Sequence, residues 1–433
     1  MYKKYVLVII AVFAYVFRLV TFPSSNIYTP LVNQKIAQFG YITKEPSISS
    51  SGNQILVFRP DGYAQQLRMS LYNETSVRKG DYVYVTGEIH MPENFSSFNY
   101  IQYLKQGNIY AEIKKAQIVP LRRQESAFHK IIRTSREYVI HAISKYFSKE
   151  ASGVMLGMLI GDDSKLSKSI KTDFKNVGLS HVLVVSGFNL TVLAGSLSTL
   201  CLVLPRKSVD VISLAVMWFF VCLVGFDASV VRAAIMVSFL LIARLFGRMS
   251  YSYITLAYAV AVMSIVNPLQ PIYDIGFQLS VCATLGVICA HKMKMWYGHE
   301  GWFADIMWSS GGALVMTLGI IAYYFQTLSI VALPVNILIV PLVPWIMLAG
   351  CLSVIPVLGV HIAQVINSGL ELLLQAVHYI AMQSYSVTQL RVSGVAVVCY
   401  YVLLYILWQI VLNMQKRDLK NNPVYDRIVK IKL

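Results

Sequence analysis

With 433 residues, of which 56% are hydrophobic and 13% charged, the chain carries more apolar surface than a soluble fold of this size can hide. A mean hydropathy of +0.58 and recurring apolar runs of roughly 18 residues or more exclude an ordinary water-soluble protein and point to a membrane protein. The formal net charge of +16 has two readings: positive-inside topology in contact with anionic lipid, or a polyanionic cargo such as nucleic acid.

The N-terminus reads MYKKYVLVIIAVFAYVFRLVTFPSS. Lys3 and Lys4 precede a long apolar run, and no A-x-A-like cleavage site follows it. Residues 1–26 are therefore expected to form an uncleaved transmembrane helix with a cytoplasmic start. Residues 27–120 change character. Alternation appears in QILVFRP, DYVYVTGEIH and NIYAEIKKAQIV, separated by glycine-containing turns. In Asp81–Ile89, Val83, Val85, Gly87 and Ile89 take one face and Tyr82, Tyr84, Thr86 and Glu88 the other. Several short strands in so short a stretch predict a small β-barrel or sandwich, outside the cytoplasm because one span precedes it.

Residues 121–180 are expected to be amphipathic and interfacial. Phe128, Ile131, Ile132, Tyr138, Val139, Ala142 and Ile143 recur at helical spacing within 124–147, with Lys130, Arg133, Arg136 and Lys145 on the other side. Such a helix lies in the headgroup region or packs on the β domain, and the pattern fits both. The next piece, ASGVMLGMLIGDDSKL, is too short to span and suits a re-entrant or interfacial segment.

From His181 to 413 the chain reads as nearly continuous membrane. Spans are expected near 181–204, 209–225, 229–247, 252–267, 274–291, 306–325, 329–354, 359–383 and 392–413, about ten with the first helix. Expected inside loops hold Arg206/Lys207, Arg244/Arg248 and Lys292/Lys294, and the 414–433 tail holds Lys416, Arg417 and Lys420. That bias places both termini in the cytoplasm. The six cysteines all fall in apolar segments and form no C-x-x-C pair, so they read as small buried hydrophobes.

Polar groups inside spans are costly and need a partner or water. Four places carry them. NVGLSHVLVVSGFNL holds His181, Ser186, Gly187 and Asn189; GFDASVVRAAIM holds Asp227 and Arg232. YDIGFQLSVCATLG holds Asp274, Gln278, Ser280 and Thr284, and Asp274 and Gln278 share a helical face. ALPVNILIVPLVPW places Pro334, Pro341 and Pro344 around Asn336, where a broken helix lines a cavity or is buried in protein. Ser, Thr and Gly also serve as packing residues in membrane helices. His181 and Ser186 stand five residues apart, so on one helix they diverge by roughly 140° and do not form a hydrolytic pair. No G-x-S-x-G elbow and no G-x-x-x-x-G-K-[ST] loop is present.

These segments resemble the ComEC competence-channel family. LIGDDSKLSKSIKTDFKNVGLSHVLVVSGFNLTVLAG is similar to its signature, with Asp162 and Gly178 at motif positions. DASVVRAAIMVSFLLIARLFGR, NPLQPIYDIGFQLSVCATLGV (with Gly276) and PVNILIVPLVPWIMLAG (with Pro334 and Pro341) resemble three further segments in the same order. GDYVYVTGEIHMPENFSSFNYIQYLKQGNIYAEI resembles the OB-like domain that precedes the channel. The resemblance implies an α-helical polytopic inner-membrane protein with an N-terminal extracytoplasmic OB-like barrel, passing single-stranded DNA into the cytoplasm during natural transformation. It implies a transport protein, not an enzyme, with no cofactor and no metal. The family's C-terminal metallo-β-lactamase-like domain is expected to be absent, since no H-x-H-x-D-H motif occurs. Membrane lipids and a separate DNA receptor, nuclease and ATP-driven motor are the expected partners. Asn189 departs from the family, which commonly has His there.

On this reading Tyr63, Tyr82, Tyr84 and Phe95 are candidates to stack bases, with Arg232 on phosphates; the aromatics equally suit a barrel core. Asp162 and Asp274 are poor phosphate contacts and suit holding Arg or Lys, or capping helices. A transporter or flippase of another anionic or lipid substrate, and an intramembrane hydrolase, are the alternatives.

Overall fold

The computed structural model describes residues 26–421, apart from 45, 50–51, 73–74, 95–98, 124–126, 184, 249–250, 384–386 and 391. The expected first span, Phe95 and the end of the basic tail lie outside the described residues. The chain divides into two compact units: residues 1–175, 180–278 and 342–379, and residues 176–179, 279–341 and 380–433.

The first unit opens with β1 (Lys35–Ile42), a two-residue β2 (Ser47–Ile48), β3 (Gln54–Pro60), β4 (Gln66–Leu71), β5 (Asp81–His90), the short helix α1 (Tyr100–Gln106) and β6 (Ile109–Arg123). The strands lie in the order β1-β5-β6-β4-β3, and β1 pairs again with β3, so the sheet closes on itself. β4 and β6 run parallel, and the other barrel neighbours run antiparallel. This is a five-stranded OB-like barrel, with β2 a side extension of β3. The alternation read from the sequence fixes its inside: Val83, Val85 and Ile89 join Leu56, Phe58, Leu67, Met69 and Ile113 in the core. Tyr28 closes one end, its buried hydroxyl donating to Gln65 O at 2.9 Å.

Helices follow: α2 (Ala127–Tyr146), α3 (Lys149–Ile160), α4 (Lys168–Asn176), α5 (Gly187–Ser198), α6 (Arg206–Val224), α7 (Ala228–Leu245), α8 (Ser252–Val266) and α9 (Gln270–Tyr273). After them come α10 (Ile275–Tyr297), α11 (Trp302–Phe325), β7 (Thr327–Ser329), α12 (Ala332–Ile339), α13 (Val343–Ser353), α14 (Pro356–Ala381), β8 (Val387–Gln389) and α15 (Gly394–Asn421). Among the described residues seven segments are long and apolar enough to cross a membrane: α6, α7, α10, α11, Ala332–Ser353, Gly359–Ala381 and Gly394–Gln415. Two expected spans differ. The 181–204 stretch yields only α5, of 12 residues, and a 3-10 turn, because residues 181–183, 185 and 186 do not enter the helix. α8 has 15 residues and is also short.

α3 corrects the interfacial expectation. Every residue from Ala151 to Ile160 is buried. A helix apolar on all sides and too short to span belongs inside protein. Met155, Leu156 and Leu159 pack with Ile143 and Phe147 at the end of α2 and with Ala363 and Leu370 of α14. α2 makes its apolar packing with other helices, where the sequence offered the headgroup region or the β domain. Its C-terminal half is packed on α3, while Phe128, Ile131 and Tyr138 stay exposed. A second core joins α5, α6 and α7 through Leu190, Met217, Val221, Val230 and Ala234. In the second unit, Tyr400 and Tyr401 of α15 donate to the α11 carbonyls of Val315 and Met316 at 2.7 and 2.8 Å, and β7 pairs antiparallel with β8.

Candidate functional site

The barrel's outward face carries an aromatic ladder. Antiparallel pairing of β1 and β5 sets Phe39 opposite Tyr84 and Tyr41 opposite Tyr82. Ring centroids are 4.8 Å apart in both pairs, and Phe39 stacks on Tyr82 at 6.2 Å. Tyr82 and Tyr84 thus stand outside the core, because their odd-even position on β5 turns them away from Val83 and Val85. Arg59, exposed on β3, pairs in register with Tyr41. The Tyr82 hydroxyl donates to Asp61 Oδ2 at 2.5 Å, and that bond raises the phenol above its ordinary value. Tyr63 is not in this ladder; it packs on Tyr28 at 5.9 Å. Phe39 and Tyr41 went unread in the sequence, although KIAQFGYI alternates in the same way. On the β4/β6 side, Arg68 pairs with Glu112 at 2.6 Å and lies over the Tyr100 ring at 5.9 Å. Burial, with Glu112 beside it, pushes the Tyr100 phenol up to about 12.

The Ser186–Asn189 stretch is the N-terminus of α5. Ser186 is the N-cap residue, but its hydroxyl donates to Asn189 Oδ1 at 3.1 Å and leaves the helix uncapped by a side chain. Asn189 is 3% exposed, and its Nδ2 donates to Met158 O of α3 at 2.8 Å. Both ends of that amide are used inside the protein, so Asn189 ties α5 to α3 and does not face a pathway as the sequence suggested. His181 lies exposed in the turn before it. Arg232, one turn into α7, is 6% exposed, and its Nε and Nη1 have no hydrogen-bond partner among the described residues. Its Nη2 sits 3.3 Å from where a Cβ on Gly187 would lie, so glycine there admits the guanidinium.

Asp227 and Asp274 stand at the starts of α7 and α10. Asp274 Oδ1 accepts from Phe277 N at 3.0 Å, an N-cap, and Gly276 leaves room for that carboxylate. Gln278 Nε2 donates to Pro271 O and Ile272 O at 3.0 and 2.8 Å. The face shared by Asp274 and Gln278 thus organises the turn into α10. Protein crowding, then the Asp274 charge, raises the Asp227 carboxyl, against the pull of Lys44 from the barrel. Crowding likewise lowers Lys44, with Asp227 opposing. Asn267 Nδ2 donates to Gln106 O at 2.8 Å, so α1 of the barrel is docked beside these groups.

Asp162 lies beside an arginine. Its Oδ1 accepts from Ser164 Oγ at 2.6 Å, and its Oδ2 lies 3.9 Å from Arg136 Nη2. Arg136 Nη1 in turn donates to Ile160 O and Leu223 O at 3.0 and 2.9 Å. Within the second unit, Gly178, at φ +78°, lets the chain approach Ala332 at the start of α12. Pro334 lies in the first turn of α12, Pro341 in the 3-10 link after it and Pro344 near the start of α13, so Ala332–Ser353 is a broken span. Asn336 Oδ1 is buried with no hydrogen-bond partner among the described residues.

The structure therefore brings Ser186, Gly187, Asn189 and Arg232 together, and separately Asp227 with Asp274. The Ser186 hydroxyl donates to the Asn189 amide rather than to an imidazole. His378 is paired to Asp173 at 2.7 Å. Neither the Arg136 bonds nor this pair was legible in the sequence, because their partners lie 24 to 205 residues away.

The pattern of the family described as "Competence protein" matches residues 158–414. ComE operon protein 3 of Bacillus subtilis (strain 168) is 24% identical over 281 residues, covering 62% of this chain and 35% of that protein. Competence protein ComA of Neisseria gonorrhoeae is 26% identical over 216 residues, covering 47% of this chain and 30% of that one. The matched stretch thus spans about a third of each relative's length. No solved structure matches the chain.

Proposed function

Since the chain belongs to the competence-protein family, we propose that this multi-helix membrane protein serves DNA uptake as an inner-membrane channel that passes single-stranded DNA into the cytoplasm. In this reading the barrel lies outside the cytoplasm and both termini inside. A DNA receptor, a nuclease and an ATP-driven motor act as separate partners. The observation that carries the reading is the outward-facing ladder of Phe39, which is exposed, and Tyr41, Tyr82 and Tyr84, which are half-buried, with Arg59 beside it, on an OB-like barrel. Aromatic faces stack any base, and an adjacent guanidinium meets the backbone. The aromatics lie on β1 and β5, and Arg59 alone comes from the second barrel strand, β3, of the face that OB folds commonly use.

Deleting the gene is expected to abolish entry of fluorescent DNA into the cytoplasm while DNA still binds the cell surface. Unchanged entry removes the reading. For the barrel, Tyr84→Ala in the full chain is expected to weaken binding of a dT20 strand by about 1–3 kcal/mol, as loss of one stacking partner does. Tyr63→Ala is expected to leave binding unchanged, because Tyr63 packs on Tyr28. Equal effects of the two variants, measured by fluorescence anisotropy, would exclude the ladder as the binding face. A lipid or other anionic substrate is favoured if dT20 does not bind at all.

A further inference from the structure

We propose that Arg232 and the first turn of α5 form a built site for one phosphate oxyanion, a phosphodiester of the transported strand; this rests on the DNA-uptake reading. Three observations converge. Arg232 is 6% exposed, with Nε and Nη1 unpartnered among the described residues. Its third nitrogen is packed against Gly187, the first residue of α5. Ser186, which would ordinarily cap this helix, turns its hydroxyl to Asn189 instead.

The electrostatics of this arrangement are unfavourable when it is empty. The start of a helix carries partial positive charge from N–H groups that have no acceptor within the helix. A buried guanidinium adds a full positive charge beside them. Two like potentials meet, and no salt bridge neutralises Arg232 among the described residues. An anion between them answers both. The planar guanidinium offers parallel N–H donors to two oxygens, and the first-turn N–H groups take another. The nearest surface is the α5 side, where Phe188 is exposed and Ser186 and Gly187 are partly so; Nε and Nη1 themselves are sealed from solvent, so an entering oxyanion has to displace neighbouring side chains. Gly187 is part of the device. A Cβ there would meet Ala233 Cβ at 2.9 Å as well as the guanidinium, so any larger residue displaces it.

The test uses the full chain in phosphatidylcholine nanodiscs, with dT20 as the probe across a salt series. Arg232→Met is expected to weaken binding roughly ten- to hundredfold and to reduce the slope of log K against log salt by about 0.7, the share of one phosphate on a single strand. Its thermal midpoint is expected to stay level or rise, because an unpaired buried charge has been replaced by an apolar chain. Gly187→Ala keeps every charge and is expected to lose affinity in the same direction. Tyr84→Ala is expected to lower affinity and leave the slope unchanged.

Unchanged affinity and slope in Arg232→Met overturn the site. So does a fall in its midpoint with binding intact, which makes the guanidinium structural. If added phosphatidylglycerol raises the midpoint of the parent chain but not of Arg232→Met, and dT20 binding is equal in both, the occupant is a lipid and the proposal fails. The two readings separate cleanly. If the deletion strain still takes up DNA while dT20 binding depends on Arg232, the site stands without the uptake role. If deletion abolishes uptake and Arg232→Met changes nothing, the role stands without the site.

Discussion

Arg136→Ala is expected to lower the unfolding free energy of the chain by about 2–4 kcal/mol, among the largest losses from any surface-reaching residue. Arg136 donates to Ile160 O and Leu223 O, the closing carbonyls of α3 and α6, and faces Asp162. Helix C-termini leave carbonyls without intrahelical donors and carry partial negative charge, so one guanidinium serves both ends at once. Removing it strands two carbonyls and a carboxylate in a partly buried corner. Arg136→Lys keeps the charge but not the fork, and is expected to recover about half of the loss. Thermal unfolding in nanodiscs, followed by tryptophan fluorescence, measures both. A change of less than about 0.5 kcal/mol in Arg136→Ala would mean that water serves these carbonyls equally well.

Asn189→Asp is expected to cost about 3–5 kcal/mol at neutral pH. The substitution changes one nitrogen to oxygen and keeps the shape. It sets a carboxylate against Met158 O where the amide now donates, at a position 3% exposed. The new carboxyl is stabilised in its protonated, donating form, so its folded pKa lies above the unfolded aspartate value of about 3.9. The variant is therefore most stable below that value and loses stability as pH rises through the folded pKa. The parent chain has no such group at this position. A pH series of unfolding midpoints distinguishes the two, and a flat difference between variant and parent would show that the Asn189–Met158 bond is not formed. Asn189→Ala, which removes the donor to Met158 O and the acceptor of the Ser186 hydroxyl without adding a charge, is expected to cost about 1–3 kcal/mol. An amide and an imidazole both supply an N–H, and the structure uses one here as a tie between helices.

The barrel was legible because period-two alternation survives any tertiary context: Val83 and Val85 share one face and Tyr82 and Tyr84 the other as the sequence required, and the structure turns the valines inward. The same rule applied to β1 yields Phe39 and Tyr41, which complete the ladder. The broken span was legible too, because proline removes a backbone donor wherever it stands; Pro341 falls in the link between α12 and α13. Hydropathy failed at α3 and at 181–204 for a physical reason. Apolar length records that a segment avoids water, not whether lipid or protein replaces it. α3 is encased by α2, α13 and α14, which only the fold assembles.

Local chemistry, written in residue type and spacing, determined the membrane class, the barrel and the helix breaks by itself. The tertiary structure alone decided which polar groups are spent and which are left over. Asn189, Asp274 and Gln278 are consumed by backbone groups, whose identity no side-chain sequence encodes. Arg232 is left buried with donors unanswered, because Gly187 and Ala233 meet across two helices that the chain places 46 residues apart in sequence only to pack together.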